Sequence, residues 1–351
     1  MKKITFYQII NQTLFDLMKR NKKIVAFGLG IDDPKALFGT TKNLKKKFGD
    51  NRVFDFPTSE NAMTGIGIGM SLNGMIPIMT HLRLDFFLLA MDQLVNNAAK
   101  WNIMFGGQNK IPITIRLIIG RGWGQGPTHS QNLQSWFSHV PGLKVITPSF
   151  PSNAKNLLID SVNDPNPVIF IEHRWLHNLE ENIKFNRREY LIGKSKKLSS
   201  GKELTIVSSS FSTIEILKLH KILKKNQIKF DHIDLMSVKP LDISNIFKSV
   251  NKTGRLLILD NSSHQFCSIS SEIISQLILR KKNIFRSEPI ILALPDIPSP
   301  TSFFLTKKYY NSSTKILSVI EKLISKKINY NRNQLETTLH DVPDKNFMGP
   351  F

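Results

Sequence analysis

A chain of 351 residues is long enough for about two domains, and 41% hydrophobic with 21% charged residues is ordinary for a globular protein. The net charge of +21 could suit nucleic acid or a membrane surface, but the basic residues are scattered along the chain, so we expect neither partner. The single cysteine, Cys267, excludes an internal disulfide and a cysteine-based zinc site, and no run of about 18 apolar residues suggests a membrane helix, so we expect a cytoplasmic protein.

The first half of the chain alternates between predicted helices and strands. Apolar residues on one side predict a helix at 4–20, and further helices are predicted at 41–48, 87–101 and 152–162. Strands are predicted at 24–28, 52–55, 76–80, 111–118, 140–148 and 167–172. This alternation predicts a mostly parallel sheet with helices on both faces.

One stretch, residues 55–69, is predicted to be a loop that turns into a helix. Pro57 ends the preceding strand, Thr58 or Ser59 can cap the helix, and Glu60 lies in its first turn. Glycines are unfavourable in a helix, so we expect close approach of another backbone at Gly65, Gly67 and Gly69. Two interpretations of Glu60 stay open: a buried functional carboxyl group, or a residue that only complements the helix dipole.

Two glycine-containing loops follow predicted strands. The loop at 28–34 leaves the first strand, and the loop at 120–131 has four glycines in its first seven residues. In α/β folds the carboxyl ends of the strands are where ligands bind. We therefore expect site residues in both loops.

The second half predicts a smaller α/β domain. Strands are predicted at 204–208, 229–235, 255–260 and 289–294, and helices at 212–225, 243–250, 268–279 and 313–326. The predicted organisation is a domain at 1–178, a linker at 179–203, a second domain at 204–328 and a polar tail at 329–351. The end of the tail, 348–351, either docks on a partner or is disordered.

Several separated motifs carry a family resemblance. They are Ser59-Glu60, the helix with Phe86, Asp92-Gln93 and Asn97-Ala-Ala-Lys100, His129-Ser-Gln131, Pro141-Gly-Leu-Lys-Val145 and Asp164-x-Asn166-Pro167. In this order they resemble the β subunit of the decarboxylating component of 2-oxoacid dehydrogenases, in the thiamine-diphosphate-dependent, transketolase-like superfamily. The resemblance implies a pyrimidine-binding domain with a mostly parallel sheet, then a smaller α/β transketolase C-terminal domain, in an α2β2 heterotetramer.

The resemblance also implies roles for individual residues. Glu60 matches the carboxylic acid that shares a proton with the aminopyrimidine ring of the cofactor, and Phe86 matches an aromatic that packs on this ring. Leu29 and Ile31 stand where relatives have a cofactor-binding segment. His129 matches the active-site histidine that acts on the substrate carbonyl or in acyl transfer; by itself it would be an ordinary loop histidine.

The metal sites implied by the family are divided between two chains. Ile113, Asp164 and Asn166 match loops that hold a structural potassium ion in relatives, although Asp-Pro-Asn-Pro is also an ordinary turn. No Gly-Asp-Gly occurs, and Asn96-Asn97 lies in the wrong helix to replace the Asn-Asn pair of the superfamily. The Mg²⁺ and diphosphate ligands are therefore expected from a separate α chain that carries these motifs.

The substrate region departs from the family pattern. His81, Arg83 and Arg121 are unusual there and are our candidates for substrate binding. For Arg83, an ion pair with Asp85 or Asp92 is the alternative.

Three functions remain open. The first is decarboxylation of a 2-oxoacid, with the acyl unit passed to an acceptor such as a lipoyl acyltransferase. The second is a split transketolase-like enzyme, and the third is a scaffold protein without catalytic activity. Retention of Glu60, Phe86 and His129 together favours an enzyme.

Overall fold

The computed structural model describes residues 2–183, 190–331, 333, 335 and 340–342, and the chain forms two compact units. The first unit comprises Met1–Gly120 and Trp136–Ile192, and the second comprises Arg121–Ser135 and Gly193–Phe351. Both units contain a sheet with helices, which confirms the predicted α/β class. The predicted tail end, 348–351, lies outside the described residues.

The first unit is built on a parallel β-sheet. Its strands are β1 (Lys2–Thr5), β2 (Ile24–Gly28), β3 (Val53–Asp55), β4 (Ile76–His81), β5 (Thr114–Ile119), β6 (Lys144–Ile146), β7 (Val168–His173) and β8 (Glu180–Ile183). Six of them lie in the order β6-β7-β5-β4-β2-β3, with every neighbouring pair parallel. All residues of β2, β5 and β7 are buried, as expected for strands covered on both faces.

The helices of the first unit include the predicted N-terminal one. They are α1 (Phe6–Arg20), α2 (Leu44–Phe48), α3 (Glu60–Leu72), α4 (Leu84–Phe87), α5 (Trp101–Met104), α6 (Gln134–His139) and α7 (Pro151–Val162), although the first two residues of α6 are counted in the second unit. The helix α1 begins at a capping box of Thr5 and Gln8, which satisfies two backbone N–H groups. No helix among the described residues is long and apolar enough to cross a membrane.

The single helix predicted at 87–101 is wrong in detail. The segment is helical, but it passes from α4 through a 3₁₀ turn at Leu88–Ala90 and a π-helical turn at Gln93–Ala98 before α5. The π turn contains Asn96 and Asn97, and asparagine is a weak helix former. Their amides donate to side chains one turn earlier, on Asp92 and Gln93.

The glycines of α3 are explained only in part by close packing. A Cβ at Gly67 would lie 2.8 Å from Ile113 Cδ1 and 3.2 Å from Phe27 Cζ, so a larger residue here would have to displace these side chains. The neighbours are side chains and not the backbone that we expected. At Gly69 nothing lies within 4 Å, so close approach does not explain that glycine within the described chain.

The second unit has its own sheet. The strands of this unit are β9 (Lys196–Ser199), β10 (Leu204–Ser208), β11 (Phe230–Asp234), β12 (Ser237–Lys239), β13 (Leu256–His264) and β14 (Ile290–Leu294), and β12 is not part of this sheet. Five lie in the order β14-β13-β10-β11-β9, in which only β9 is antiparallel to its neighbour. Its helices are α8 (Ser210–Lys225), α9 (Ile243–Thr253), α10 (Ile269–Arg280), α11 (Phe303–Tyr309) and α12 (Ser313–Ile324).

The segment predicted to be a linker, 179–203, contains regular structure. It includes β8, which pairs with β1, and β9, which pairs with β11. Both partners are distant in sequence, so local composition does not reveal these strands.

Candidate active site

The candidate site lies at the carboxyl edge of the first unit's sheet. At this edge β3 ends at Asp55, β2 at Gly28, β4 at His81, β5 at Ile119 and β7 at His173. Neighbouring strands are about 4.8 Å apart, so residues that follow adjacent strands are brought together. Ligands of open α/β sheets bind at this edge.

Glu60 is buried at the start of α3, directly after this edge. It is the first residue of the helix and is 5% exposed. Among the residues that the structure describes, none donates a hydrogen bond to its carboxyl group. A buried carboxyl group without a donor is unfavourable, so a ligand nitrogen would satisfy it. Ser59 occupies the N-cap position, but its side chain does not make the capping bond that we predicted.

Leu29 and Ile31 lie in a loop that Asp55 holds in place. The backbone N–H groups of Gly30, Ile31 and Asp32 all donate to the carboxylate of Asp55. The Leu29 N–H donates to the carbonyl of Thr80 at 3.3 Å, which ties the loop to β4. The sequence did not single out Asp55 for this positioning.

Phe86 lies in α4 and is 37% exposed. It therefore offers an apolar surface to a ligand or partner. The helix α4 follows β4, so Phe86 belongs to the same edge as the Leu29 loop.

His81, the last residue of β4, has no exposed surface. Neither of its ring nitrogens has a hydrogen-bond partner among the described residues, and the ring packs against Phe87. Burial lowers the pKa of His81 from 6.5 to about 3, so the ring is neutral. A fully buried imidazole without partners is uncommon and points to a missing binding partner.

Arg83 is joined at the carboxyl edge by an arginine that the sequence analysis missed. Arg174 follows β7 directly, and both arginines are buried. A Cβ added at Gly120 would lie 3.1 Å from Nη1 of Arg83 and 3.3 Å from Cβ of Arg174. The position of Arg174 directly after a buried strand was a signal that could have found it.

A buried ion pair lies within the sheet, close to its carboxyl edge. Arg116 on β5 and Glu172 on β7 form two hydrogen bonds, and the Glu172 carboxylate also lies 3.3 Å from His177 Nε2. Burial alone would raise the pKa of Glu172, but Arg116 and His177 hold it at about 2. The glutamate is therefore ionised and committed to Arg116.

In the predicted potassium loop, the carboxylate of Asp164 already binds other groups of the protein. Asp164 pairs with the ammonium group of Lys144 and accepts the Asn166 N–H at 3.0 Å. The carbonyl of Ile113 accepts the Val168 N–H. A cation at this loop would therefore depend on main-chain carbonyl oxygens. The described residues contain no cluster of three His, Cys, Asp or Glu side chains suited to a metal.

Two predicted site residues belong to the second unit. His129 is half-buried, and its Nδ1 lies 2.8 Å from the hydroxyl of Thr128. Arg121 is buried; it donates to Glu215 at 3.1 Å and to the carbonyl of Asn261 at 3.2 Å. Its guanidinium also stacks on Tyr310. These contacts are those of a residue that holds the unit together.

Comparisons with known proteins agree with this architecture. Residues 2–178 match the transketolase pyrimidine-binding domain, and residues 193–316 match the transketolase C-terminal domain. The chain is 33% identical over 92% of its length to the β subunit of acetoin:2,6-dichlorophenolindophenol oxidoreductase of Cupriavidus necator, and covers 97% of it. It is 32% identical over 91% of its length to the pyruvate dehydrogenase E1 component subunit β of Rickettsia bellii, and covers 98% of it.

A solved structure shares the fold. It is described as an inactive β4 tetramer of a split-gene transketolase, and the TM-score is 0.74 with 19% identity. The match covers 92% of this chain and 98% of the other.

Proposed function

Because the chain belongs to the transketolase-like family of dehydrogenase β subunits, we propose that it is the β subunit of a thiamine-diphosphate-dependent 2-oxoacid dehydrogenase. In this role it supplies the aminopyrimidine half of the active site for decarboxylation and acyl transfer. The family predicted from the motifs is confirmed by the two matching domains and the curated relatives.

The carboxyl edge offers groups that fit the pyrimidine half of the cofactor. Thiamine diphosphate, when bound, would supply a cationic thiazolium ring that takes up the electron pair of the bond to the departing carboxylate. Glu60 would hold a proton against a pyrimidine ring nitrogen, because its carboxyl group is buried and accepts no bond from the described chain. Phe86 would cover the ring, and Leu29 and Ile31 would line it from the loop that Asp55 holds.

We assign to His129 the task of donating to or accepting from the reacting oxygen of the substrate. Its loop position and partial exposure suit a group that exchanges protons with a bound molecule.

The other half of the site would come from a partner. β subunits imply an α subunit and a heterotetramer. The sequence has no Gly-Asp-Gly, so the Mg²⁺ and diphosphate ligands belong to this α chain in our proposal. A lipoyl acyltransferase is the acceptor that fits a dehydrogenase complex.

The alternative of a split transketolase-like enzyme has weaker support. The curated relatives with 31–33% identity carry pyruvate or acetoin names, whereas the split-gene transketolase structure is 19% identical and shares only the fold.

The proposal depends most on the buried carboxyl group of Glu60, and Glu60→Gln tests it. The full chain is co-expressed with its α chain, and thiamine diphosphate binding with Mg²⁺ is measured by calorimetry and proton exchange at the thiazolium carbon by NMR. Glu272→Gln is the matched control, because Glu272 is an exposed glutamate in the first turn of α10. We expect exchange to be lost in Glu60→Gln alone. Equal exchange in both variants, or no binding by the wild-type pair, would overturn the proposal.

Potassium and a cytoplasmic location stay predictions. For potassium, we expect the melting temperature of the chain to rise more in potassium than in sodium chloride at equal ionic strength. No difference would remove the ion from the proposal.

A further inference from the structure

Two arginines are buried close together at the carboxyl edge of the first unit's sheet. Arg83, after β4, is 4% exposed, and Arg174, after β7, is 3% exposed. We propose that Arg83 and Arg174 form a binding site for an anionic group, a carboxylate or a phosphate, that is carried by the substrate but does not react. The assignment of this anion to the substrate rests on the proposed function.

The sheet order brings these two arginines together. The strand β5 lies between β4 and β7, and Gly120 follows β5 directly. The guanidinium of Arg83 lies over Gly120, since its Nη1 would be 3.1 Å from a Cβ there, and the stem of Arg174 lies at 3.3 Å. A side chain at position 120 would therefore fill the space that the arginines use.

The electrostatics of this pair favour an anion. Guanidinium groups stay protonated in proteins, so two positive charges are buried here. Burial, and then the charge of Arg83, lowers the pKa of Arg174 to about 10. Burial also lowers the pKa of Arg83, although the negative charge of Asp85 opposes this change. The nearby Glu172 binds Arg116 with both oxygens. An anion between the arginines would relieve both desolvation and repulsion.

Arg83 and Arg174 lie at the same edge of the sheet as the proposed cofactor-binding residues. The strand β4 pairs with β2, and the Leu29 N–H donates to Thr80, one residue before His81. His81 is an independent indication that something binds here, because it is fully buried and both ring nitrogens are without partners among the described residues. An anionic ligand at the arginines would thus lie beside the loop that holds Leu29.

The chemistry selects a group other than the reacting carboxylate. Decarboxylation converts that carboxylate into neutral CO₂, so two arginines around it would stabilise the ground state more than the transition state. A second anionic group keeps its charge throughout the reaction, so binding it does not raise the barrier of the decarboxylation step. The expected substrate is therefore a 2-oxoacid with an additional carboxylate or phosphate.

The test measures anion binding by the full chain. Calorimetry with inorganic phosphate and with malonate, against chloride at equal ionic strength, is compared for wild type, Arg83→Gln and Arg174→Gln. Arg280→Gln is the matched control, since Arg280 is an exposed arginine in the last turn of α10. Loss of one charge-assisted contact should weaken binding roughly tenfold or more in the first two variants only. Tighter binding of phosphate than malonate would identify a phosphorylated substrate, and the reverse a dicarboxylic one.

A second measurement uses only the wild type, so it tests the inference even if the arginine variants do not fold. In wild type, phosphate should slow amide hydrogen exchange in the segments 82–87 and 174–178. Absence of this protection, or equal affinity for phosphate in all variants, would overturn the inference. The proposed function is tested separately, because its readout is Glu60-dependent proton exchange at the cofactor in the complex with the α chain, whereas this inference is read from phosphate binding.

Discussion

Arg116 and Glu172 form a two-bonded ion pair inside the first unit's sheet, at 2.6 Å and 3.0 Å, with neither side chain exposed. It lies on adjacent strands directly below the carboxyl edge that carries Arg83 and Arg174. The pair links β5 to β7 and leaves Glu172 committed to Arg116.

Glu172→Gln should destabilise the chain by about 3–5 kcal/mol, because Arg116 would be left as an uncompensated buried charge. Urea unfolding measures this change. The double substitution Arg116→Met with Glu172→Gln should recover part of the loss. A Glu172→Gln variant as stable as wild type would show that the pair does not hold the sheet.

The same pair predicts acid sensitivity. The pKa of Glu172 is about 2 when folded and near 4.5 in the reference state. A lowered folded pKa contributes stability that is complete above the reference pKa and is lost as pH falls towards the folded one. Stability should therefore fall between about pH 4.5 and 2. The melting temperature across this range, which should fall less steeply in the double variant, checks the prediction.

His81→Phe should stabilise the isolated chain by about 1–2 kcal/mol, because it removes buried nitrogens that have no partner among the described residues. It should also remove a pH effect. Below pH 6.5 the unfolded histidine gains a proton that the folded one, with a pKa of about 3, does not. As the pH decreases from 6.5 towards 3, His81 should therefore lower the free energy of unfolding of the wild type by roughly 1.4 kcal/mol per pH unit. An unchanged pH slope in the variant would contradict the argument.

Gly67→Ala and Gly69→Ala form a matched pair on α3. The first should destabilise the chain by about 1–3 kcal/mol, because its methyl group would collide with Ile113 and Phe27. The second should stabilise the isolated chain by up to about 1 kcal/mol, because nothing lies within 4 Å. Urea unfolding of both variants measures these two changes in the free energy of unfolding. If Gly69→Ala instead blocks association with the α chain, this glycine serves an interface.

Arg121 is expected to act through Glu215 and not on the substrate. A double-mutant cycle with Arg121→Met and Glu215→Gln should give a coupling energy of about 1–3 kcal/mol in stability. The control is kcat/KM, which Arg121→Lys should leave close to wild type. An additive cycle together with a raised KM would restore the predicted role in substrate binding.

The alternating α/β pattern follows from the amino-acid sequence alone, because buried strands of parallel sheets are continuous apolar runs that can be recognised locally. The sequence also indicated Glu60, since a proline, a capping position and a first-turn carboxylate mark the start of a helix. The motif order predicted the family, which the comparisons confirm.

Which residues lie together depends on the three-dimensional fold. The strands β1 and β8 pair although they lie near opposite ends of the first unit's sequence. The sequence predicts a linker at β8, because pairing with a distant strand leaves no local signal. Arg174 lies beside Arg83 because β5 separates their strands by one position, although 90 residues of sequence intervene. The same order gave Arg116 its partner Glu172 and left His81 buried without one among the described residues. Burial and charge compensation depend on neighbours from distant strands, and these neighbours are set by the sheet order.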